Sequence, residues 1–114
     1  MTTSDEIFAD ASRSAGDLAG VFEFDGETAY FYLYRVGEEQ KVLDAIHVLS
    51  AKPDFGKEDI AIRWTLIEDK VGLFIRGELW AVFDTHNKTK YGGNYRKDLT
   101  STVPPVVSRA FSLS

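Results

Sequence analysis

Ile60-Ala61-Ile62-Arg63-Trp64-Thr65-Leu66, Val71-Gly72-Leu73-Phe74-Ile75 and Leu79-Trp80-Ala81-Val82-Phe83-Asp84 follow one another with the polar breaks Glu68-Asp69-Lys70 and Arg76-Gly77-Glu78 between them. In each run a large apolar residue returns at every second position: Ile60, Ile62, Trp64 and Leu66; Val71, Leu73 and Ile75; Leu79, Ala81 and Phe83. A period of two is the mark of a strand with one face buried. Three such runs separated by short breaks predict an antiparallel meander. Both tryptophans lie in it, so the remaining segments must pair beside it or dock on it. The predicted class is mainly β, with about six antiparallel strands curled into one sheet, a sandwich or a partial barrel.

The chain has 114 residues, of which 44% are apolar, and it has no cysteine. A chain of this length buries about two thirds of its unfolded surface around one core. One domain is therefore expected over 1–114, with an N-terminal arm at 1–17, a β core at 18–84, a basic loop at 85–98 and a Ser/Thr/Pro-containing tail at 99–114. No run reaches the roughly 20 apolar residues needed to cross a bilayer. Met1 to Glu6 is polar and acidic, unlike a secretory leader. Without cysteine there is no disulfide framework, no thiolate nucleophile, and a zinc site would lack its most diagnostic ligand. A cytoplasmic location is the default expectation, with no membrane partner.

Charge is unevenly spread. Residues 1–59 hold 13 acidic and 5 basic side chains, whereas residues 85–114 hold 1 and 5; the net charge is −5. The acidic half argues against nucleic acid as a partner, because affinity for a phosphate backbone comes from cations that release counterions. The two halves are expected to attract each other, across the fold or between copies.

Ahead of the core, Thr3 and Glu6 have capping-box spacing, and Ile7, Phe8, Ala11 and Ala15 fall on one helical stripe before Gly16. A short N-terminal helix is the expectation. Asp25-Gly26 then separates two alternating runs, as in a two-residue type I′ hairpin, which needs positive φ at both turn positions. That turn would set Phe24 opposite Glu27, Phe22 opposite Ala29 and Val21 opposite Tyr30. Phe22, Phe24, Ala29, Phe31 and Leu33 share one side; Tyr30, Tyr32 and Tyr34 line the other. Such a stripe either covers a half-buried second face or contacts a partner, each ring having an apolar body and a polar tip. After the turn Gly37-Glu38-Glu39, residues Lys41 to Ala51 are apolar on both faces, as a central strand is. Asp44 and His47 project from opposite faces of it. Lys52 to Lys57 reads as a loop.

Phe22-Glu23-Phe24-Asp25-Gly26-Glu27-Thr28-Ala29-Tyr30-Phe31-Tyr32, then Leu43-Asp44-Ala45-Ile46-His47, and later Ala81-Val82-Phe83-Asp84 with Tyr91-Gly92, resemble a small bacterial family known as a domain of unknown function, DUF2251. The resemblance spans about residues 20–96. It implies a bacterial origin and a compact β-rich domain, and brings neither an activity nor catalytic residues.

Thr85 to Lys97 contains no acid, four strong bases, two glycines and two tyrosines. A glycine pair lets backbone N–H groups approach an anion, so Tyr91, Gly92, Gly93, Tyr95, Arg96 and Lys97 form the candidate ligand-binding set for a phosphate or carboxylate. The ordered spacing of a P-loop or dinucleotide fingerprint is missing. Beyond it, Pro104-Pro105 predicts an extended tail, with Val106, Val107 and Phe111 as pins to the core or a partner.

Candidates for catalysis are few. Asp84 and His86 stand two apart at a strand end, and with His47 they would form a metal site or a carboxylate-oriented base if the fold brought them together. No metal-ligand spacing accompanies them. Glu23 with Glu27 and Glu38 with Glu39 lie at turns, where solvated carboxylates are ordinary, and no Gly-x-Ser-x-Gly elbow is present. No cofactor is implied. Three readings follow. The first is a non-catalytic module that binds another protein or its own copy through the tyrosine face or a strand edge. The second is an anion-binding regulator using the Gly-Gly loop. The third is a hydrolase or metal-dependent enzyme built on His47, Asp84 and His86.

Overall fold

The computed structural model describes residues 6–37 and 41–112. Strands β1 (Ile7–Ser12), β2 (Leu18–Phe24), β3 (Ala29–Arg35) and β4 (Lys41–Leu49) form one antiparallel sheet in chain order. A 3-10 turn at Lys57–Asp59 leads to the second sheet, again in chain order: β5 (Ile60–Trp64), β6 (Lys70–Ile75), β7 (Glu78–Asp84) and β8 (Thr89–Gly92). Helix α1 (Pro105–Ser112) follows. Phe22, Phe24, Phe31, Ile46 and Val48 of the first sheet pack against Val71, Leu73, Ile75, Ala81 and Phe83 of the second. The result is an open two-sheet sandwich with eight strands among the described residues, and the barrel alternative is set aside because no ladder joins the sheets. No helix of the described residues is long and apolar enough to cross a membrane.

The predicted meander is present as β5, β6 and β7, with two local differences. Leu66 and Ile67 lie in the β5–β6 turn and are exposed, because Thr65 leaves the strand and its amide donates back to the Lys70 carbonyl. A bulge between Leu73 and Phe74 then shifts the pairing of β6 with β7. Leu79 consequently turns to the outer side of the sheet, away from Ala81 and Phe83.

The N-terminal helix is replaced by β1. Ile7, Ala9 and Ala11 are half-buried and Phe8, Asp10 and Ser12 exposed, so the segment alternates as a strand on the edge of β2. An isolated helix of this length is marginal in water. The edge offers a full ladder of hydrogen bonds, and the Trp64 indole adds one at 2.9 Å to the Ala11 carbonyl. Thr3 of the supposed cap lies outside the described residues, as do Glu38 and Glu39 of the next expected turn.

The hairpin register differs too. Phe24 pairs with Ala29, Phe22 with Phe31 and Val21 with Tyr32, so the loop is Asp25–Thr28 rather than a two-residue turn. Asp25 Oδ1 accepts from the amides of Glu27 and Thr28, both at 2.9 Å, which closes the longer loop with a side chain. The slip is two residues, an even number, so every side chain keeps its predicted face. The two-residue turn with positive φ at both positions occurs instead at Arg76 (51°) and Gly77 (83°), between Ile75 and Glu78.

β4 is a strand, but at the edge of its sheet rather than the centre. Part of that edge is covered by the crossing segment after β8, whose Asn94 and Tyr95 amides donate to the His47 and Val48 carbonyls at 2.9 and 2.7 Å; Ile46, Val48 and Leu49 are buried, whereas Val42 and Leu43 are exposed. The expected extended tail is α1. Pro105 occupies its first position, where the missing N–H costs nothing and φ is already helical. Val107 and Phe111, four apart, are buried over Gly72, Leu79 and Val82 on the outer side of the second sheet, whereas Val106 is exposed. β6 and β7 are thus covered on both sides, which accounts for the nearly unbroken apolar run of β7.

Candidate functional site

The residues of the candidate loop are built into the fold. β8 lies inside the segment expected to be a loop; its alternation is masked because Thr89 and Lys90 supply polar side chains on an edge strand. Gly92 and Gly93 (φ 86° and 104°) then turn the chain from the second sheet to the first. The Gly93 amide donates to the Trp80 carbonyl at 2.7 Å, so with Asn94 and Tyr95 three successive N–H groups are committed to backbone acceptors. Tyr95 packs edge-on against Trp80 and Phe55, at 4.8 and 5.2 Å between ring centroids. Its hydroxyl donates to Asp54 Oδ1 at 2.9 Å, and Arg76 donates to Oδ2 of the same carboxylate at 3.2 Å. Arg96 and Lys97 are exposed, and Arg96 pairs with Asp98 at 3.2 Å. The acidic first half and the basic end meet at Asp44 and Lys90, 2.8 Å apart.

Burial, then the hydrogen-bonded Asp54 carboxylate, push the Tyr95 hydroxyl up to about 12. An unfolded tyrosine titrates near 10. The folded value is the higher, so this contribution to stability is complete below about pH 10 and lost as pH rises through about 12. An NMR titration of the Tyr95 ring is expected to give an apparent pKa near 12. A value at or below 10 would show that the Asp54 contact does not form in solution.

His47, Asp84 and His86 do not converge. On the outer face of β4, His47 has both ring nitrogens engaged: Nδ1 is hydrogen-bonded with Asn94 Oδ1 at 3.0 Å, and Nε2 with the Ser50 hydroxyl at 2.6 Å. Asp84 is buried at the end of β7 and accepts from the amides of His86 and Asn87 and from the Asn87 side chain, at 3.1, 3.0 and 2.9 Å. The Lys70 ammonium stands 3.8 Å away. Burial would raise the Asp84 carboxyl, but Asn87, Lys70 and His86 outweigh it and hold it below its ordinary value. It closes the β7–β8 turn as Asp25 closes the β2–β3 loop. Among the described residues no three His, Cys, Asp or Glu side chains are grouped to hold a metal.

The tyrosine stripe lies on the outer face of the first sheet, and strand pairing gives it neighbours that no local pattern indicates. Phe8, Glu23, Tyr30 and His47 form one row across β1 to β4; Asp10, Val21, Tyr32 and Ala45 form the next; Ser12, Ala19, Tyr34 and Val42 form the third. Tyr30 and Tyr32 stack at 5.8 Å, and His47 meets Tyr30 edge-on at 5.4 Å. A groove of about 540 Å³ runs over Val21, Tyr32 and Tyr34 between Phe8 and Val42. Phe8 and Val42 are about half exposed (52% and 47%), so the two flanking strands both offer apolar surface to solvent. Whereas α1 covers the outer side of the second sheet, no described element covers this one. Burial, then the Glu23 carboxylate, raise the Tyr32 hydroxyl above its ordinary value.

Comparison with curated proteins and with solved structures finds no match. The model of one family, described as an uncharacterized protein conserved in bacteria, matches residues 1–102 and so takes in both sheets and the connection between them. On that match the chain belongs to the bacterial family DUF2251.

Proposed function

We propose that this protein is a non-catalytic binding module that engages another protein through the outer face of its first sheet. The observation that carries the reading is the contrast between the two outer faces: α1 closes one, and the other presents Tyr32, Tyr34, Phe8 and Val42 around a groove, with Tyr30 stacked on Tyr32 beside it. Aromatic rings of this kind dominate protein interfaces, since they bury a large area at small entropic cost. The acids Asp10 and Glu23 on the same face favour a partner with basic surface there.

A photo-activatable phenylalanine analogue at Tyr32 or Val42 is expected to give a discrete adduct in bacterial cells. The same analogue at Leu66, in the exposed β5–β6 turn, is expected to give none. With the cross-linked protein identified and purified, Tyr32→Ala should weaken the complex tenfold or more, as truncation of a central interface aromatic does at about 2 kcal/mol. An adduct of twice the chain mass would assign the face to a second copy. Adducts of equal yield at Tyr32 and Leu66, or an affinity indifferent to Tyr32→Ala, would remove the face as the binding surface.

A further inference from the structure

Resting on that reading of the outer face, we infer that it recognises an extended segment carrying arginine, with guanidinium groups seated between the tyrosine rings and the carboxylates of Glu23 and Asp10. The register places Glu23 between two aromatic residues in one row of the outer face, Phe8 on β1 and Tyr30 on β3. Asp10 stands one row away, across Val21 from Tyr32. Among the described residues neither carboxylate has a cation as partner, and no described group hydrogen-bonds the Tyr30 or Tyr32 hydroxyl.

Arginine fits this arrangement better than lysine. Its planar guanidinium stacks on an aromatic face while its N–H fork meets a carboxylate, whereas an ammonium is a strongly hydrated point charge. The half-buried tyrosines lower the local polarity and so strengthen the attraction for a cation seated there. The spacing selects an extended chain. Tyr30, Tyr32 and Tyr34 alternate along β3, so their side chains recur every second residue, about 7 Å. A partner strand laid along β3 repeats its own same-side residues at that interval, bringing alternate side chains onto successive rings. A polyanion is repelled by the same carboxylates.

The test uses the whole protein, isotope-labelled, and two blocked peptides: one alternating arginine with valine, and its counterpart with citrulline, which keeps the shape and hydrogen-bonding edge of arginine without the charge. The arginine peptide is expected to shift the amide signals of Glu23, Tyr30 and Tyr32 and to bind at least tenfold more tightly than the citrulline peptide. Glu23→Gln, at an exposed position, is expected to weaken the arginine peptide about fivefold and to flatten its salt dependence; adding Asp10→Asn deepens both effects. Equal binding of the two peptides on this face would overturn the arginine inference and leave the face standing as a binding surface. Shifts confined to other surfaces, or none at millimolar peptide, would overturn the inference, while cross-linking at Tyr32 decides the broader reading independently.

Discussion

Gly92→Ala is expected to lower the unfolding free energy by about 3 kcal/mol or more, through positive-φ strain combined with a steric clash. Gly92 has φ 86°, a conformation that alanine enters at a penalty of roughly 1–2 kcal/mol before any contact is counted. Its missing Cβ would overlap the Trp80 carbonyl oxygen and stand 2.9 Å from Val103 Cγ2. The carbonyl cannot move aside freely, since it accepts from the Gly93 amide at 2.7 Å. Gly93 is equally confined, its Cβ position lying 2.7 Å from both the His47 carbonyl oxygen and Ile46 Cγ2. The backbone crossing from one sheet to the other therefore depends on this pair. Urea unfolding provides the measurement, with Gly26→Ala as the reference: that glycine also has positive φ (103°), but nothing lies within 4 Å of its Cβ position. A Gly92→Ala loss no larger than that of Gly26→Ala would mean that the crossing is not close-packed.

Phe31→Ala is the second large effect, at about 3–5 kcal/mol for a buried phenylalanine truncated in a core. The ring is fully buried between the sheets, 5.2 Å from Phe83 by centroid, with its Cζ lying 3.1 Å from where a Cβ on Gly20 would be. Gly20, against which the ring tip rests, offers no side chain to help fill the gap. Domains of ordinary stability have only about 5–15 kcal/mol to lose, so the variant should unfold at a much lower denaturant concentration. Phe8→Ala, on the open face, is expected to cost less than about 1 kcal/mol. If the two substitutions proved equal, the assignment of faces in the first sheet would be wrong.

The alternation of apolar residues was enough to find β2, β3, β5, β6 and β7, and to sort the side chains of the β2–β3 hairpin, because parity survives an error of two in register; at Leu79 it failed, because a bulge changes the parity. It was not enough where short segments fit two periods. Ile7 to Ala15 satisfies a helical stripe, and only the open edge of β2 and the Trp64 indole decide for a strand. β8 carries lysine and threonine on its exposed side and lacks a pattern of its own; pairing with β7 makes it a strand. Pro104-Pro105 reads equally as an extended tail or a helix start, and the outer surface of β6 and β7 supplies the apolar ground that selects the helix.

The same division holds for the candidate site. By itself the amino-acid order determined a β-rich chain, the inner and outer sides of the β2–β3 hairpin, and a row of three tyrosines on the outer side, all consequences of a two-residue period acting locally. Tertiary structure alone decided that Phe8, Asp10 and Glu23 stand beside those rings, that Gly92 and Gly93 carry the chain from sheet to sheet, and that His47 and Asp84 remain apart. These are relations between residues far separated in sequence, and what sets them is the packing of two sheets and the backbone partners left over at their edges.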